Sequence, residues 1–267
     1  MKKVISFFLT FCMLLCIFSC KKENEKSVMQ IYGEALALTR DLSYQKFSLS
    51  RNVTANADDT NYVEPYSIFC KMIKKDGAIY YCSERDIKVE TQAGIAIPTL
   101  YHHYKDGVMY QTLEKSKMKH DLSVQDFEKQ YLGLHSIILS LPESENITSA
   151  KTGDNAEGGS DHTISLDISL LEKSEMDKLY LIFDAYSSHA LDTEYVISGN
   201  LDIGFSTDFD GYFVRYSLSF NVSGSENGEL KDLKMTLSLD IFNPGSHFVM
   251  NELSNTSDYT EGILNIK

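Results

Sequence analysis

The sequence YKDGVMY, at residues 104–110, joins a tight turn to aromatic flanks. Asp-Gly between alternating segments is a strong signal for a β-hairpin, because glycine accepts the positive φ angle that the turn requires. A similar sequence, KDGAIYY, occupies residues 75–81, and a third Asp-Gly pair lies at Asp210-Gly211. These repeats predict a twisted antiparallel sheet. Reuse of one turn type explains their likeness, and an internal duplication is the alternative.

Apolar and polar residues alternate beside these turns, as expected for strands with one solvent-exposed face. The alternation includes Phe47 and Leu49, and then Tyr66, Ile68, Cys70 and Met72. Three longer strands are predicted at residues 193–207, 212–224 and 231–243. The segment 143–161 is rich in Ser, Asn, Gly and Asp, and we expect a solvated loop or a disordered connector there.

Helical periodicity indicates three amphipathic helices that pack against the core. The first begins after Ser27, which forms a capping box with Gln30, and buries Val28, Ile31, Ala35 and Leu38. The second begins at Ser123 with Asp126 in its first turn, buries Phe127, Tyr131, Leu134, Ile138 and Leu141, and ends at Pro142. The third begins at Ser174 with Asp177, buries Met176, Leu179, Tyr180, Phe183 and Tyr186, and ends near His189.

The chain has 267 residues, of which 38 are acidic and 25 basic, and its formal net charge is −13. This charge argues against nucleic acid as a partner and against a basic membrane-binding patch. Beyond the N-terminal segment, no stretch has the run of apolar residues that a membrane-spanning helix needs.

The N-terminal segment predicts export. Lys2 and Lys3 precede an apolar run too short to span a bilayer, and Ser19 and Cys20 follow it. The sequence Ile17-Phe18-Ser19-Cys20 resembles the cleavage site of bacterial lipoprotein signal peptides. The resemblance implies that residues 1–19 are removed. It also implies that Cys20 becomes the first residue and carries a covalently attached lipid whose acyl groups include palmitate. An ordinary signal peptide or an uncleaved anchor is the alternative.

Residues 20–26 are then a lipidated, charged tether, and residues 27–267 form one domain. The expected location is the extracytoplasmic face of a bacterial cell envelope, with the membrane bound through the N-terminal lipid.

The order of elements also resembles a known superfamily. A helix, a meander of aromatic-flanked Asp-Gly hairpins, inserted helices and a run of long strands are similar, over residues 27–250, to the bacterial lipoprotein carriers of the Lol type and the related mycobacterial and firmicute lipoproteins. The resemblance implies an α+β fold whose curved antiparallel sheet forms an incomplete β-barrel covered by about three helices. It also implies that the covered side binds acyl chains, but it assigns no lipid-binding residue.

Two cysteines, Cys70 and Cys82, remain in the domain and form a possible disulfide in an oxidising compartment. If Lys75-Asp76-Gly77 is a three-residue loop, Lys74 pairs with Ala78, and Cys70 lies opposite Cys82. A two-residue Asp76-Gly77 turn pairs Lys75 with Ala78 instead, and it places the cysteines on opposite faces. Two adjacent buried thiols are a further alternative.

The sequence contains only weak signals for catalytic or metal-binding residues. His102 and His103 are neighbours on a strand and point to opposite faces, and the other histidines lack ligand spacing. Asp202, Asp208 and Asp210 surround a turn, and Asp208-Phe209-Asp210-Gly211 faintly resembles a calcium loop, but Ser219 stands where the glutamate of such a loop belongs. Ser160-Asp161-His162 lies in the polar connector, whereas a catalytic triad assembles from separate elements.

We therefore expect no catalytic residues, no metal and no cofactor, and an enzyme is the least supported class. The leading hypothesis is a non-catalytic, lipid-anchored protein that binds or shuttles a hydrophobic, lipid-like ligand. Its rival is a structural or protein-interaction module of the cell envelope that has no ligand.

Overall fold

The computed structural model describes residues 26–55, 66–87, 89–91, 94–187, 191, 194–250, 253 and 255–264. The predicted signal peptide (1–19), Cys20 and all of the tether except Lys26 lie outside the described residues. None of the helices in the described part of the chain has the length and apolar character that crossing a membrane requires.

The described strands form one large open sheet and one small ribbon. The strands are β1 (Tyr44–Ala55), β2 (Tyr66–Lys75), β3 (Ala78–Asp86), β4 (Val89–Thr91), β5 (Gly94–Ala96), β6 (Thr99–Lys105), β7 (Val108–Leu113), β8 (Ser116–Asp121), β9 (Thr148–Asp154), β10 (Ser160–Asp167), β11 (Val196–Thr207), β12 (Phe213–Glu226), β13 (Glu229–Ile241) and β14 (Thr260–Glu261). The large sheet has the order β14-β8-β7-β6-β3-β2-β1-β13-β12-β11-β10-β9, and β4 pairs with β5.

The sheet is curved and antiparallel apart from the short parallel pair of β8 and β14. Because β1 pairs with β13, the strands of the first meander and the three long strands belong to one continuous sheet. The predicted α+β fold with an incomplete barrel and about three helices is confirmed. The three long strands also lie where the alternation predicts them.

Two of the predicted Asp-Gly turns are two-residue hairpins with positive φ at both positions. The φ angles are 52° and 80° at Asp76-Gly77 and 53° and 80° at Asp106-Gly107, as a type I′ turn requires. The third is a wider loop in which only Gly211 has a positive φ, and its Tyr212 amide donates to the Asp208 carboxylate. A further turn of the same kind, Asn227-Gly228, escaped the sequence reasoning.

The two-residue turn overturns the register that would pair the cysteines. Lys75 pairs with Ala78, Cys70 with Ser83, and Cys82 with Lys71. Cys70 is therefore buried on one face and Cys82 half-buried on the other, and both thiols are free. The predicted three-residue loop is wrong. Asp76 and Gly77 both have positive φ, as a two-residue type I′ turn requires, and Lys75 belongs to the strand, where it pairs with Ala78.

The first helix, α1 (Val28–Thr39), has the predicted capping box between Ser27 and Gln30. Its buried face is rotated from the predicted one: Tyr32, Ala35 and Thr39 are buried, while Leu38 is 41% exposed. The Tyr32 hydroxyl donates to the Leu139 carbonyl at 2.6 Å. This bond explains why a polar-tipped residue lies at the centre of the interface.

The predicted second helix divides into α2 (Val124–Gln130) and α3 (Leu134–Ile137). Ser123 caps α2 as predicted, but the chain leaves the helix at Tyr131 and restarts after Gly133. The Gln45 amide oxygen accepts from the Leu134 amide at 3.0 Å and so satisfies a donor at the start of α3. A tertiary hydrogen bond thus interrupts a continuous helical pattern.

The third predicted helix is α4 (Lys173–Tyr186), whose N-cap is Glu172 and not Ser174. Glu175, two residues before the predicted Asp177, is the acidic residue of its first turn and is buried. Its carboxylate accepts from the Ser140 amide at 2.8 Å and pairs with Lys178 at 2.9 Å. The predicted end near His189 lies outside the described residues.

The segment 143–161 is not a loop, because it contains β9 and the start of β10. β9 is almost entirely exposed and forms one edge of the sheet, so its polar composition reflects its position. The Asn155 side-chain amide donates to the Thr207 carbonyl at 2.8 Å, which fixes the β9–β10 connection to the end of β11.

The helices cover one face of the sheet, which we call the inner face. Tyr32 of α1 packs on Phe205 and Phe213 with ring centroids 5.3 and 5.4 Å apart, and Phe127 of α2 stacks on Tyr104 at 4.2 Å. Aromatic residues of the helices and of the sheet therefore form a packed core between them. The opposite, outer face carries most of the half-buried and exposed members of the strand patterns.

Candidate functional site

Five partly or fully buried residues lie at one end of the inner face, near the ends of β1, β3 and α4. We call them the rim cluster: Arg51, Tyr66, Arg85, Tyr131 and Tyr186. Their position follows from register, because Arg51 pairs with Tyr66, and Arg85 pairs with the buried Ile68. Each strand member is two residues from a buried inner-face residue, so its side chain shares that face.

The arginines of the rim cluster flank Tyr66. The Arg51 and Arg85 Cζ atoms lie 4.6 and 4.8 Å from the centre of the Tyr66 ring, which is within cation–π range. Burial raises the pKa of Tyr66, and the Arg85 charge and hydrogen bond oppose that rise. Tyr66 and both arginines remain partly exposed, so solvent reaches the inner face here.

The tyrosines connect the rim cluster to the aromatic core. Tyr186, the last residue of α4, packs edge-to-face on Tyr66 with centroids 6.0 Å apart. Tyr131 lies 5.3 Å from Tyr81 and stacks on Phe127 at 5.2 Å. Burial raises the pKa of Tyr131 to about 12, with Arg85 opposing, so its hydroxyl is neutral at physiological pH and serves as a polar edge on an apolar surface.

Cys70 lies beneath the tyrosines, with its sulfur 3.5 Å from the Tyr81 hydroxyl. Burial raises the pKa of the Cys70 thiol to about 12, against the lowering effect of the Tyr81 hydrogen bond. Burial also raises the pKa of Cys82, with Lys71 opposing. A thiol with a raised pKa is a poor nucleophile, so Cys70 contributes packing here and not chemistry.

His102 borders the rim cluster on the inner face of β6. Its Nδ1 atom lies 3.5 Å from the Ser83 hydroxyl and its Nε2 atom 3.1 Å from the Gln111 side-chain amide. Its ring lies 5.4 Å from that of Tyr131. Burial, and to a smaller extent the Arg85 charge, lowers the pKa of His102 to about 4, so the imidazole is neutral at physiological pH.

The C-terminal segment reaches the same face around the sheet edge. After β14 pairs with β8, the Leu264 amide donates to the Gln111 side-chain oxygen at 3.0 Å. The bond joins the end of the described chain to His102 through Gln111.

The remaining sequence candidates are dispersed. His103 is half-buried on the outer face, opposite to His102. Asp202 accepts from the Ser165 hydroxyl at 2.7 Å, and Asp208 stabilises its own loop. Within the described ranges, no group of three or more His, Cys, Asp or Glu residues is arranged to hold a metal ion.

Ser160 and His162 meet, with the hydroxyl 2.5 Å from Nε2, but Asp161 is not part of that contact. It accepts from the Asn155 amide at 3.3 Å instead, because successive residues of a strand point to opposite faces. The His162 ring stacks on Phe205 at 4.7 Å. The three consecutive residues therefore do not form the relay of a hydrolase.

A separate cavity of about 220 Å³ lies on the outer face. It is lined by residues of the sheet and of the C-terminal segment, among them Tyr80, His103, Tyr110, Met250 and Leu253. It shares no residue with the rim cluster.

No protein-family model and no curated protein matches the chain. Among solved structures, LprF from Mycobacterium bovis is 12% identical, with 84% of this chain and 95% of that chain covered at a TM-score of 0.41. A LolA superfamily protein from Nitrosomonas europaea is 8% identical, with 88% and 98% covered at 0.27. A porin-like protein from Bacteroides uniformis is 13% identical, with 76% and 98% covered at 0.26. At these identities and TM-scores the likenesses assign no family and no function to the chain.

The strand and helix patterns of the sequence include Tyr66, Tyr131 and Tyr186 among the predicted core-facing residues. They did not predict that Arg51 and Arg85 belong to a site. A signal for them exists. Arg51 continues the alternation of Phe47 and Leu49, so a charged side chain occupies an inner-face position of a predicted strand. Such a position is unusual for arginine and indicates a ligand or a partner.

Proposed function

We propose that this protein is a non-catalytic, extracytoplasmic binding protein for a hydrophobic, lipid-like ligand, attached to the bacterial cell envelope through a lipid on Cys20. The ligand site is the rim cluster, where the end of the inner face is open to solvent. One observation carries the proposal: Tyr66 and Tyr131 are partly exposed on the face that the helices cover.

Partly exposed aromatic rings on an otherwise buried face provide the usual surface for an acyl chain. They offer a large apolar area, and their hydroxyls tolerate water. Burying a further methylene on such a surface stabilises a complex by about 0.8 kcal/mol. The Ser19-Cys20 sequence supports the envelope location, and the raised pKa of Cys70 supports a role without covalent chemistry.

The test is extraction of lipid from the protein as cells make it. The full-length chain is purified from membranes in a non-ionic detergent, and its chloroform extract is measured by mass spectrometry. Acyl groups attached to Cys20 stay with the protein, so the lipid anchor does not contribute to the extract. We expect near-stoichiometric lipid.

Two matched variants make the test specific for the inner face. Tyr66→Ala should reduce the extracted lipid several-fold, whereas Tyr44→Ala, at a half-buried position on the outer face of β1, should not. Thermal unfolding of each variant shows that it is folded. Lipid-free protein, or equal lipid in both variants, would favour the interaction module without ligand.

A further inference from the structure

The rim cluster places positive charge at the edge of an apolar face in a protein of formal net charge −13. Arg51 and Arg85 are carried by β1 and β3, on either side of the strand that carries Tyr66. Both side chains are only partly exposed. Holding a guanidinium away from bulk water costs free energy unless it meets an acceptor, so the described partners of Arg85 need to be examined.

Arg85 retains hydrogen-bonding capacity in its described surroundings. A guanidinium has five N–H donors in a planar fork, whereas a tyrosine hydroxyl accepts only one or two hydrogen bonds. The described contacts of Arg85 are with Tyr66. The fork matches the paired oxygens of a carboxylate or a phosphate, which it binds in a bidentate way.

The electrostatics of the neighbouring groups agree with this geometry. The Arg85 charge acts on Tyr66 and Tyr131, where it opposes the rise in pKa, and on His102, where it adds to the fall. No described Asp or Glu is among the causes of these three pKa shifts. The Arg85 charge therefore reaches all three groups, while Glu84 and Asp86 line a cavity with Arg51 and Tyr66.

We propose that the rim cluster binds the anionic head of an amphiphile, a carboxylate or a phosphate, through Arg85 with Arg51 beside it, while the alkyl chain lies along Tyr66 and Tyr131. This inference rests on the proposed function and narrows its ligand class to acidic lipids. The aromatic rings bind the chain, and the guanidinium selects the head.

The experiment compares photoreactive palmitate with its methyl ester. Both are presented to the full-length protein in phosphatidylcholine vesicles, at a mildly alkaline pH at which the carboxyl group is ionised. Labelled peptides are located by mass spectrometry, which separates inner-face labelling from general partition into the bilayer. We expect palmitate to label inner-face peptides at least about fivefold more than the ester.

Arg85→Gln should reduce palmitate labelling to the level of the ester and leave the ester unchanged, because a charge-assisted hydrogen bond is lost. Arg215→Gln is the matched control, since Arg215 is an exposed arginine of β12 that pairs with Asp240. It should leave both probes unchanged. Excess unlabelled lysophosphatidic acid should compete with palmitate, and inorganic phosphate should not.

Three outcomes would overturn the inference. Equal labelling by acid and ester, unchanged in Arg85→Gln, would leave an uncharged hydrophobic site, so the proposed function would stand without its head-group selectivity. Competition by inorganic phosphate would indicate a site for free anions. Absence of inner-face labelling by either probe would remove the proposed function together with the inference.

Discussion

At the residue scale, the hairpin at Asp76-Gly77 decides what the two cysteines can do. Positive φ at both turn residues sets the register, and the register places Cys70 and Cys82 on opposite faces of adjacent strands. Side chains on opposite faces cannot meet the geometry of a disulfide. The length of the loop, two residues or three, therefore determines whether the two cysteines can form a disulfide or remain separate thiols.

The first prediction concerns the reactivity of these thiols. In the native protein, alkylation should modify Cys82 at least about tenfold faster than Cys70, because Cys70 is 3% exposed and burial raises its pKa to about 12. In urea the two rates should converge. Mass spectrometry of unreduced, time-quenched samples measures both, and a Cys70–Cys82 linked peptide would contradict the observed register.

The second prediction concerns the neutral His102. Its folded-state pKa of about 4 lies below the ordinary 6.5, so its contribution to stability is present above about pH 6.5 and is lost as the pH falls through 4. The largest loss that this shift allows is about 3 kcal/mol. Urea unfolding between these pH values should show a smaller decrease in the free energy of unfolding for His102→Gln than for wild type.

His103→Gln is the control for this prediction, because His103 lies half-buried on the outer face of the same strand. That variant should keep most of the decrease seen in wild type. If His102→Gln and His103→Gln have the same pH profile, burial of His102 is not a source of acid sensitivity.

At the scale of elements, the β9–β10 hairpin shows that composition alone is a poor guide to edge strands. Residues 143–161 contain the polar and small residues expected of a loop, yet β9 pairs with β10 over several residues. An edge strand with both faces near solvent does not need the apolar alternation by which strands are recognised.

The third prediction tests this hairpin with two glycines. A Cβ atom at Gly159 would lie 1.9 Å from the Thr207 carbonyl oxygen, whereas one at Gly153 has no atom within 4 Å. Gly159→Ala should therefore lower the free energy of unfolding by about 3 kcal/mol or more, because backbone cannot yield as a side chain does. Gly153→Ala should change it by less than about 0.5 kcal/mol.

Urea unfolding followed by circular dichroism measures both variants. Equal, small effects would mean that the segment does not pack against the end of β11 in solution, and that the residues behave as the solvated loop that their composition suggests.

At the scale of the whole molecule, one open sheet supports both the packed core and the rim cluster. Pairing of β1 with β13 joins the two halves of the sheet at its middle. The helices α1, α2 and α4 cover its inner face. The rim cluster lies where that cover ends. A proposed lipid on Cys20 would hold this structure at a membrane, near a source of hydrophobic ligand.

The fourth prediction tests that attachment. Cys20→Ala should abolish incorporation of an alkyne-labelled palmitate and leave an uncleaved or mislocalised precursor, because the acylated sulfur is absent. Cys16→Ala is the matched control and should be acylated and trimmed normally, since the bulky Leu15 precedes Cys16. Trimmed, membrane-bound protein from the Cys20→Ala variant would contradict the proposed lipid anchor.

The sequence by itself determined the features that depend on local chemistry. Ser27 and Gln30 predict a cap, Asp-Gly pairs predict turns, and alternation predicts the long strands, because each depends on residues that are close along the chain. The open, helix-covered sheet was predicted from the resemblance of this order of elements to the lipoprotein carriers of the Lol type.

Tertiary structure decided the features that depend on distant partners. Gln45 interrupts a helix 89 residues away, and Thr207 fixes a hairpin whose composition predicts a loop. Arg85 contacts the Tyr66 ring, and its charge acts on Tyr131, because strand register and the end of α2 bring three separate segments together. The rim cluster follows from packing of the whole sheet, since its charges and rings share no periodicity along the chain.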